Sequence, residues 1–287
     1  MLPLPVSRPR DKKFSMRQFS AAPAEMFATV WRNRKLIFEI TKREVIGRYR
    51  GSVLGIFWSF LNPVLMLAVY TFVFGIAFNA RWNQAGSSKT EFALILFAGL
   101  IIFNVFAECV TRAPSLVLLN VNYVKKVVFP LEILAWAAFG SAVFHLLVSL
   151  GVWLIFYAAL YGLPNPTVAL FPLVILPLAL LILGVSWFLA SLGVYLRDVT
   201  QFVGIAVTIM MFLSPIFYPL ESIPAEFQPL LLMNPLTLAV EQARDLLVWG
   251  RIPDLSTYLG YLVECAIVAE LGFAWFQKTR TGFADVL

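Results

Sequence analysis

Apolar residues fill this chain in long runs, and the charged residues mark where each run stops. A helix needs about 20 mostly apolar residues to cross a hydrocarbon core of roughly 30 Å. No charge lies between Arg50 and Arg81, which predicts a first span over about 56–78, and the next run predicts a second over 92–111. The stretch from Glu132 to Arg197 carries no formal charge and is too long for one crossing. Its helix breakers, Tyr161-Gly-Leu-Pro-Asn-Pro166, divide it into a third span over 132–160 and a fourth over 167–195. A fifth span is expected over 200–219 and a sixth over 257–277. The fold class is all-α integral membrane, with six transmembrane helices.

Two segments fit neither a span nor a plain loop. Residues 25–50 place Val30, Ile37, Ile40, Val45 and Tyr49 near one helical stripe, among Arg32, Arg34, Lys35, Lys42, Arg43, Arg48 and Arg50. That pattern predicts a basic amphipathic helix lying in the headgroup plane. Residues 214–256 are apolar but broken by Pro215, Pro219, Pro224, Pro229 and Pro235, which predicts short helices dipping back into the membrane.

Composition sharpens this picture. Hydrophobic residues make up 60% of the 287 and charged residues 13%, against about 25% charged in soluble domains. A soluble fold could not hide so much apolar surface, and disorder is excluded for the same reason. Two cysteines, Cys109 and Cys265, make no disulfide scaffold, and the lone His145 makes no His-rich metal site. Of 22 basic residues, 12 fall between Arg8 and Arg50. Directly before a span, such a run points to an anionic bilayer rather than to nucleic acid. Residues 1–24 form a basic tail, with 25–287 as the membrane domain.

Basic loops face the cytoplasm. With the N-terminus inside, 18 basic residues fall on that side, and only Arg81, Lys89, Arg244 and Arg251 remain outside. Both termini are therefore expected to be cytoplasmic.

No catalytic constellation is present. None of the 16 glycines precedes a lysine, so the chain has no G-x-x-x-x-G-K-[ST] loop and does not hydrolyse ATP unaided. Glu264 and Glu270 lie six residues apart in the sixth span, about 120° apart around the helix, and do not share a face. They are expected to face the bundle, bonded or protonated. Glu108 and Arg112 have the spacing of a structural helix pair. His145 reads as a satisfied core histidine. The aromatics Phe57, Trp58, Tyr70, Phe72 and Phe74, with Phe212, Phe217 and Tyr218, exceed what an interfacial belt needs. Aromatic faces along a wide path are also what sugar rings stack on. In the inner loop, Asn120 to Pro130 reads as a short helix with a lysine pair, Lys125 and Lys126, suited to docking a cytosolic partner.

These residues resemble a known family. Thr41-Lys-Arg-Glu-Val-Ile-Gly-Arg-Tyr-Arg-Gly-Ser-Val-Leu-Gly-Ile-Phe-Trp-Ser-Phe-Leu-Asn-Pro63 and Val69-Tyr-Thr-Phe-Val-Phe74 are similar to the opening of ABC-2 type polysaccharide export permeases. Asn122-Tyr-Val-Lys-Lys-Val-Val-Phe-Pro130, Arg197-Asp-Val-Thr-Gln-Phe202, Ser214-Pro-Ile-Phe-Tyr-Pro219 and Asn234-Pro235 follow in the same order. The resemblance covers about 25–287 and is nearest the O-antigen (lipopolysaccharide) exporters, with capsule and teichoic acid exporters as neighbours. It implies a homodimer in the bacterial inner membrane, two copies of a separate cytosolic ABC ATPase that hold the ATP and Mg, and a polyprenyl-diphosphate-linked polysaccharide as cargo. No cofactor is implied in this chain. The amphipathic helix becomes an interface helix, the loop after the second span a coupling helix carrying Asn122, Tyr123, Lys125 and Lys126, and the outer segment a set of gate helices.

On that reading Arg43, Arg48 and Arg50 meet the substrate diphosphate, which arginine grips bidentately; anchoring to anionic lipid is the competing role. Trp58, Tyr70, Phe74, Phe212 and Tyr218 line the path at the dimer axis. Two other classes compete. An ion-coupled transporter should show several buried carboxylates, and only the two lone glutamates appear. A lipid-linked sugar transferase needs clustered acids or histidines, and the inner loops after the N-terminal segment offer only Glu132, Asp198 and Asp285.

Overall fold

Pro23 at the first helical turn, where its missing N–H costs nothing, opens α1 (Pro23–Tyr49), which kinks at Asn33. The computed structural model describes residues 22–77, 82, 89–124 and 129–287, so the tail's first 21 residues and the lysine pair 125–126 lie outside the described residues. The predicted amphipathic helix is present, but its buried stripe serves a different surface. Ile40 packs with Ile133 and Ala137, and Thr41 Oγ1 donates to Ala137 O at 3.2 Å. The stripe therefore docks on protein rather than on lipid. The large apolar groups left outward are Phe27, Trp31, Leu36, Phe38 and Ile46.

A 3₁₀ turn (Gly55–Phe57) leads into α2 (Trp58–Tyr70), which continues as a π-helical stretch over Thr71–Ala77. The remaining helices are α3 (Lys89–Arg112), α4 (Val121–Val124), α5 (Ile133–Tyr161), α6 (Phe171–Tyr195), α7 (Val199–Leu213), α8 (Gln228–Leu232), α9 (Pro235–Arg244), α10 (Leu255–Thr279) and α11 (Phe283–Val286). The described residues contain no strand. Gly162, at φ +86°, ends α5 where the breaker-rich hairpin predicted a stop.

Among the described residues, five stretches are long and apolar enough to cross a membrane: Gly55–Phe74, Thr90–Ser115, Ile133–Tyr161, Pro166–Tyr195 and Leu255–Val286. The expected fifth span, 200–219, differs. Its helix α7 has 15 residues, about 22 Å at 1.5 Å per residue, and stops at Ser214 because Pro215 disfavours helical backbone in the residue before it.

The core gathers around α3, whose residues from Phe92 to Val110 are buried or half-buried with one exposed exception, Asn104. The Trp153 indole donates to Leu94 O, and the Trp187 indole to Glu132 O, each at 3.0 Å. Helices α6 and α10 touch backbone to backbone: a Cβ on Gly272 would sit 2.0 Å from Gly184 O. On their outer sides, α2 and its π-helical extension turn Phe60, Leu65, Val69 and Phe72 outward, α7 turns Phe202, Ile205, Ile209 and Phe212, and α10 turns Leu259, Val263, Ile267 and Leu271.

Candidate functional site: a polar cleft behind the arginine helix

The last turn of α1 and columns of residues from α2, α3 and α5 enclose a cavity of about 660 Å³. Spacing of four residues builds its walls: Trp58, Asn62, Met66 and Tyr70 on α2, Asn104 and Glu108 on α3, His145 and Ser149 on α5. Residues four apart stack on one helical face, so each column points one way.

A charged network forms one end. Arg48 Nη2 donates to Glu108 Oε1 at 2.6 Å. His145 Nδ1 lies 2.9 Å from Glu108 Oε2, and its Nε2 lies 3.0 Å from the Tyr49 hydroxyl. The neutral tautomer that serves both partners carries its proton on Nδ1 and accepts from Tyr49 at Nε2. Burial raises the Tyr49 hydroxyl above its ordinary pKa, so it stays protonated and able to donate. Glu108 and Arg112 approach only to 3.9 Å, because Arg112 Nη2 donates to Glu44 Oε2 at 3.0 Å instead. The helix pair expected from spacing is thus one edge of a network tying α1 to α3 and α5.

The three predicted arginines do not converge. Arg43 and Arg50 are seven residues apart and share a face, and with Glu39, Lys42 and Gly47 they line a separate depression of about 300 Å³. Arg48 points into the cleft on another face. Arg43 Nη2 also donates to the Tyr123 hydroxyl at 3.1 Å, joining the arginine helix to α4, and Tyr123 stacks on Phe129 at 4.2 Å. Asn122 beside it is exposed.

The predicted aromatics split as well. Trp58 and Tyr70 line the cleft. Phe74 and Phe212 each stack on Phe217 with centroids 5.8 Å apart, and the Tyr218 hydroxyl donates to Phe212 O at 2.8 Å. This second group joins the end of α2 to the end of α7, with Phe212 59% exposed. Of the two glutamates in α10, Glu264 is exposed rather than facing the bundle, and Glu270 keeps one buried oxygen without a partner.

Sequence reasoning counted Arg244 as a loop charge, yet it is fully buried. Its guanidinium donates to Pro215 O at 2.5 Å, Ile216 O at 2.7 Å, Ile95 O at 3.3 Å and Glu241 Oε1 at 2.9 Å, and lies 4.4 Å from the centre of the Trp82 ring. Asn62 and Asn104 also escaped notice. A search for carboxamides as well as charges within the apolar runs finds both, since any polar group in hydrocarbon is costly.

Comparison with known proteins follows the same lines. The chain is 26% identical over 258 residues to the O-antigen export system permease protein RfbA of Myxococcus xanthus, covering 89% of this chain and 96% of that one. It is 27% identical over 256 residues to the protein of that name in Klebsiella pneumoniae, covering 88% and 95%. It is 26% identical over 246 residues to the polysialic acid transport protein KpsM of Escherichia coli, covering 82% and 90%. The ABC-2 type transporter family matches residues 35–248, which include α1 from Lys35 onward, all four walls of the cleft and the Arg244 node. Through that match, the chain belongs to the ABC-2 type transporter family.

Proposed function

We propose that this chain is the membrane subunit of an ATP-driven exporter that carries a polyprenyl-diphosphate-linked polysaccharide of O-antigen type out across the bacterial inner membrane. Two copies form the passage, and two copies of a separate cytosolic ABC ATPase drive it. Each copy crosses six times, with α7 as the short fifth crossing and both termini inside. The observation that carries the reading is the polar, aromatic-lined cleft at membrane depth with the basic end of α1 at its edge.

The chain's own residues divide the work. The face of Lys42, Arg43 and Arg50, opposed by Glu39 alone, receives the diphosphate at headgroup depth. ATPase closure acts on the loop after α3, where Asn122, Tyr123, Lys125 and Lys126 form the docking element. The bond between Tyr123 and Arg43 passes that movement to α1. The outward faces of α2 and α7, with Phe74, Phe212 and Tyr218 at their outer ends, meet the second copy and line the route. The proline-broken segment carrying α8 and α9 caps it.

The relatives named for O-antigen export favour that cargo, and those named for polysialic acid transport support a capsular glycan as the second reading. Deleting the gene and extracting the surface polysaccharides tests both. Loss of lipopolysaccharide-linked polymer, with polymer accumulating inside, is the expected result. Loss of capsule alone transfers the reading to the capsular class, and an unchanged surface overturns glycan export.

A further inference from the structure

The cleft holds polar groups that the protein itself leaves unused. Asn104 is the one exposed residue between Phe92 and Val110 on α3, and Asn62 faces the same cavity from α2. Among the described residues neither carboxamide has a hydrogen-bond partner, and neither does the Ser149 hydroxyl or the Tyr70 hydroxyl. In an apolar span an unpaired carboxamide is costly unless water or a ligand satisfies it. The cavity's 660 Å³ falls within the roughly 300–1,000 Å³ of sites that enclose small ligands.

The lining also says which chemistry fits. Arg48 is the cation facing the cavity, and Glu108 already neutralises it at 2.6 Å. An anionic diphosphate finds no free positive charge there; the depression at Lys42, Arg43 and Arg50 offers one. A carboxamide both donates and accepts, which matches a hydroxyl that does the same. The Trp58 and Tyr70 rings supply flat apolar surface beside those carboxamides. A ring that is polar at its edge and apolar on its face satisfies both sets.

We propose that Asn62, Asn104 and Trp58 form a binding site within a single subunit for uncharged pyranose units of the transported glycan, with Tyr70, Ser149 and Glu108 completing it. This rests on the reading of the protein as a glycan exporter. It adds a sugar site away from the outward faces of α2 and α7, separated from the diphosphate site by the width of α1.

Photo-crosslinking in living cells tests it. A photoreactive benzophenone amino acid replaces Ser149 inside the cleft, Leu147 on the outward side of α5, or Ile205 on the outward face of α7. Adducts are detected with antiserum to the cell's own surface polysaccharide. The expected result is a glycan adduct at position 149, at least tenfold above that at 147. In parallel, Asn62→Leu with Asn104→Leu should cut surface glycan at least tenfold, while Asn62→Gln with Asn104→Gln keeps it within about threefold. Adducts at 205 and none at 149 overturn the cleft site while leaving glycan export intact. Loss of surface glycan on gene deletion, with no adduct at 149, has the same meaning: the cleft is then a hydrated space. If deletion leaves every surface glycan unchanged, the exporter reading falls and the sugar site falls with it. The crosslinking arm decides the matter even if the double leucine variant fails to fold.

Discussion

Two arginines organise opposite ends of this subunit, and they are held in different ways. Arg244 is fully buried, and its partners are mostly backbone carbonyls at Ile95, Pro215 and Ile216. The Arg48 side chain keeps 38% of its surface exposed, and its partner is a side chain, Glu108, which also accepts from His145. A carbonyl cannot release a guanidinium by changing protonation or rotamer, so the first arrangement fixes the chain path where α7 ends. Side-chain partners can exchange as a ligand arrives, so the second can do work. Burial and partner type, rather than charge itself, separate the two cations.

The largest test of this contrast is Arg244→Met. Removing one partner of a buried ion pair costs about 3–5 kcal/mol, and the freed carbonyls add to that. We expect a large loss of folded protein, read as the yield and thermal midpoint of the detergent-purified subunit. A midpoint within a few degrees of the parent would end the claim that Arg244 pins the outer segment. Gly99→Ala should act at the same node with less force. The added Cβ would stand 3.0 Å from Arg244 Nη2 and 3.2 Å from Val240 Cγ1, and overpacking of this kind costs about 1–3 kcal/mol. Its effect should shrink in the Arg244→Met background, as a double-mutant cycle would read. Arg48→Met should move stability least, by under about 1 kcal/mol, as for other partly exposed pairs, while surface glycan falls severalfold. A stability loss as large as that of Arg244→Met would erase the distinction.

Much of the fold was legible because hydrocarbon imposes simple rules. Charge-free runs gave the long helices, and Gly162 with the neighbouring prolines gave the hairpin after α5. The break after α7 was visible in Pro215, but the length rule alone drew the span past it to residue 219. The docking surface of α1 was not legible, since a stripe such as Ile40 and Val45 looks the same whether it meets lipid or α5. The site was harder. Arg48, Glu108 and His145 are separated by 60 and 37 residues, and no local pattern announces that they meet. Arg244 looked like a loop charge because three of its four hydrogen-bond partners are backbone carbonyls, which leave no trace in side-chain sequence.

The glycine contact between α6 and α10 sets where this subunit can bend. With Gly272 lying against the Gly184 carbonyl, the two helices have no side-chain cushion between them over which to slide. They form a fixed post, and a transport cycle has to swing other parts around it. On the reading of the protein as an exporter, the parts left to swing are α2 and α7, which take no part in that contact. A pathway opened by those two helices against a stationary post widens from one side, as a door does on its frame.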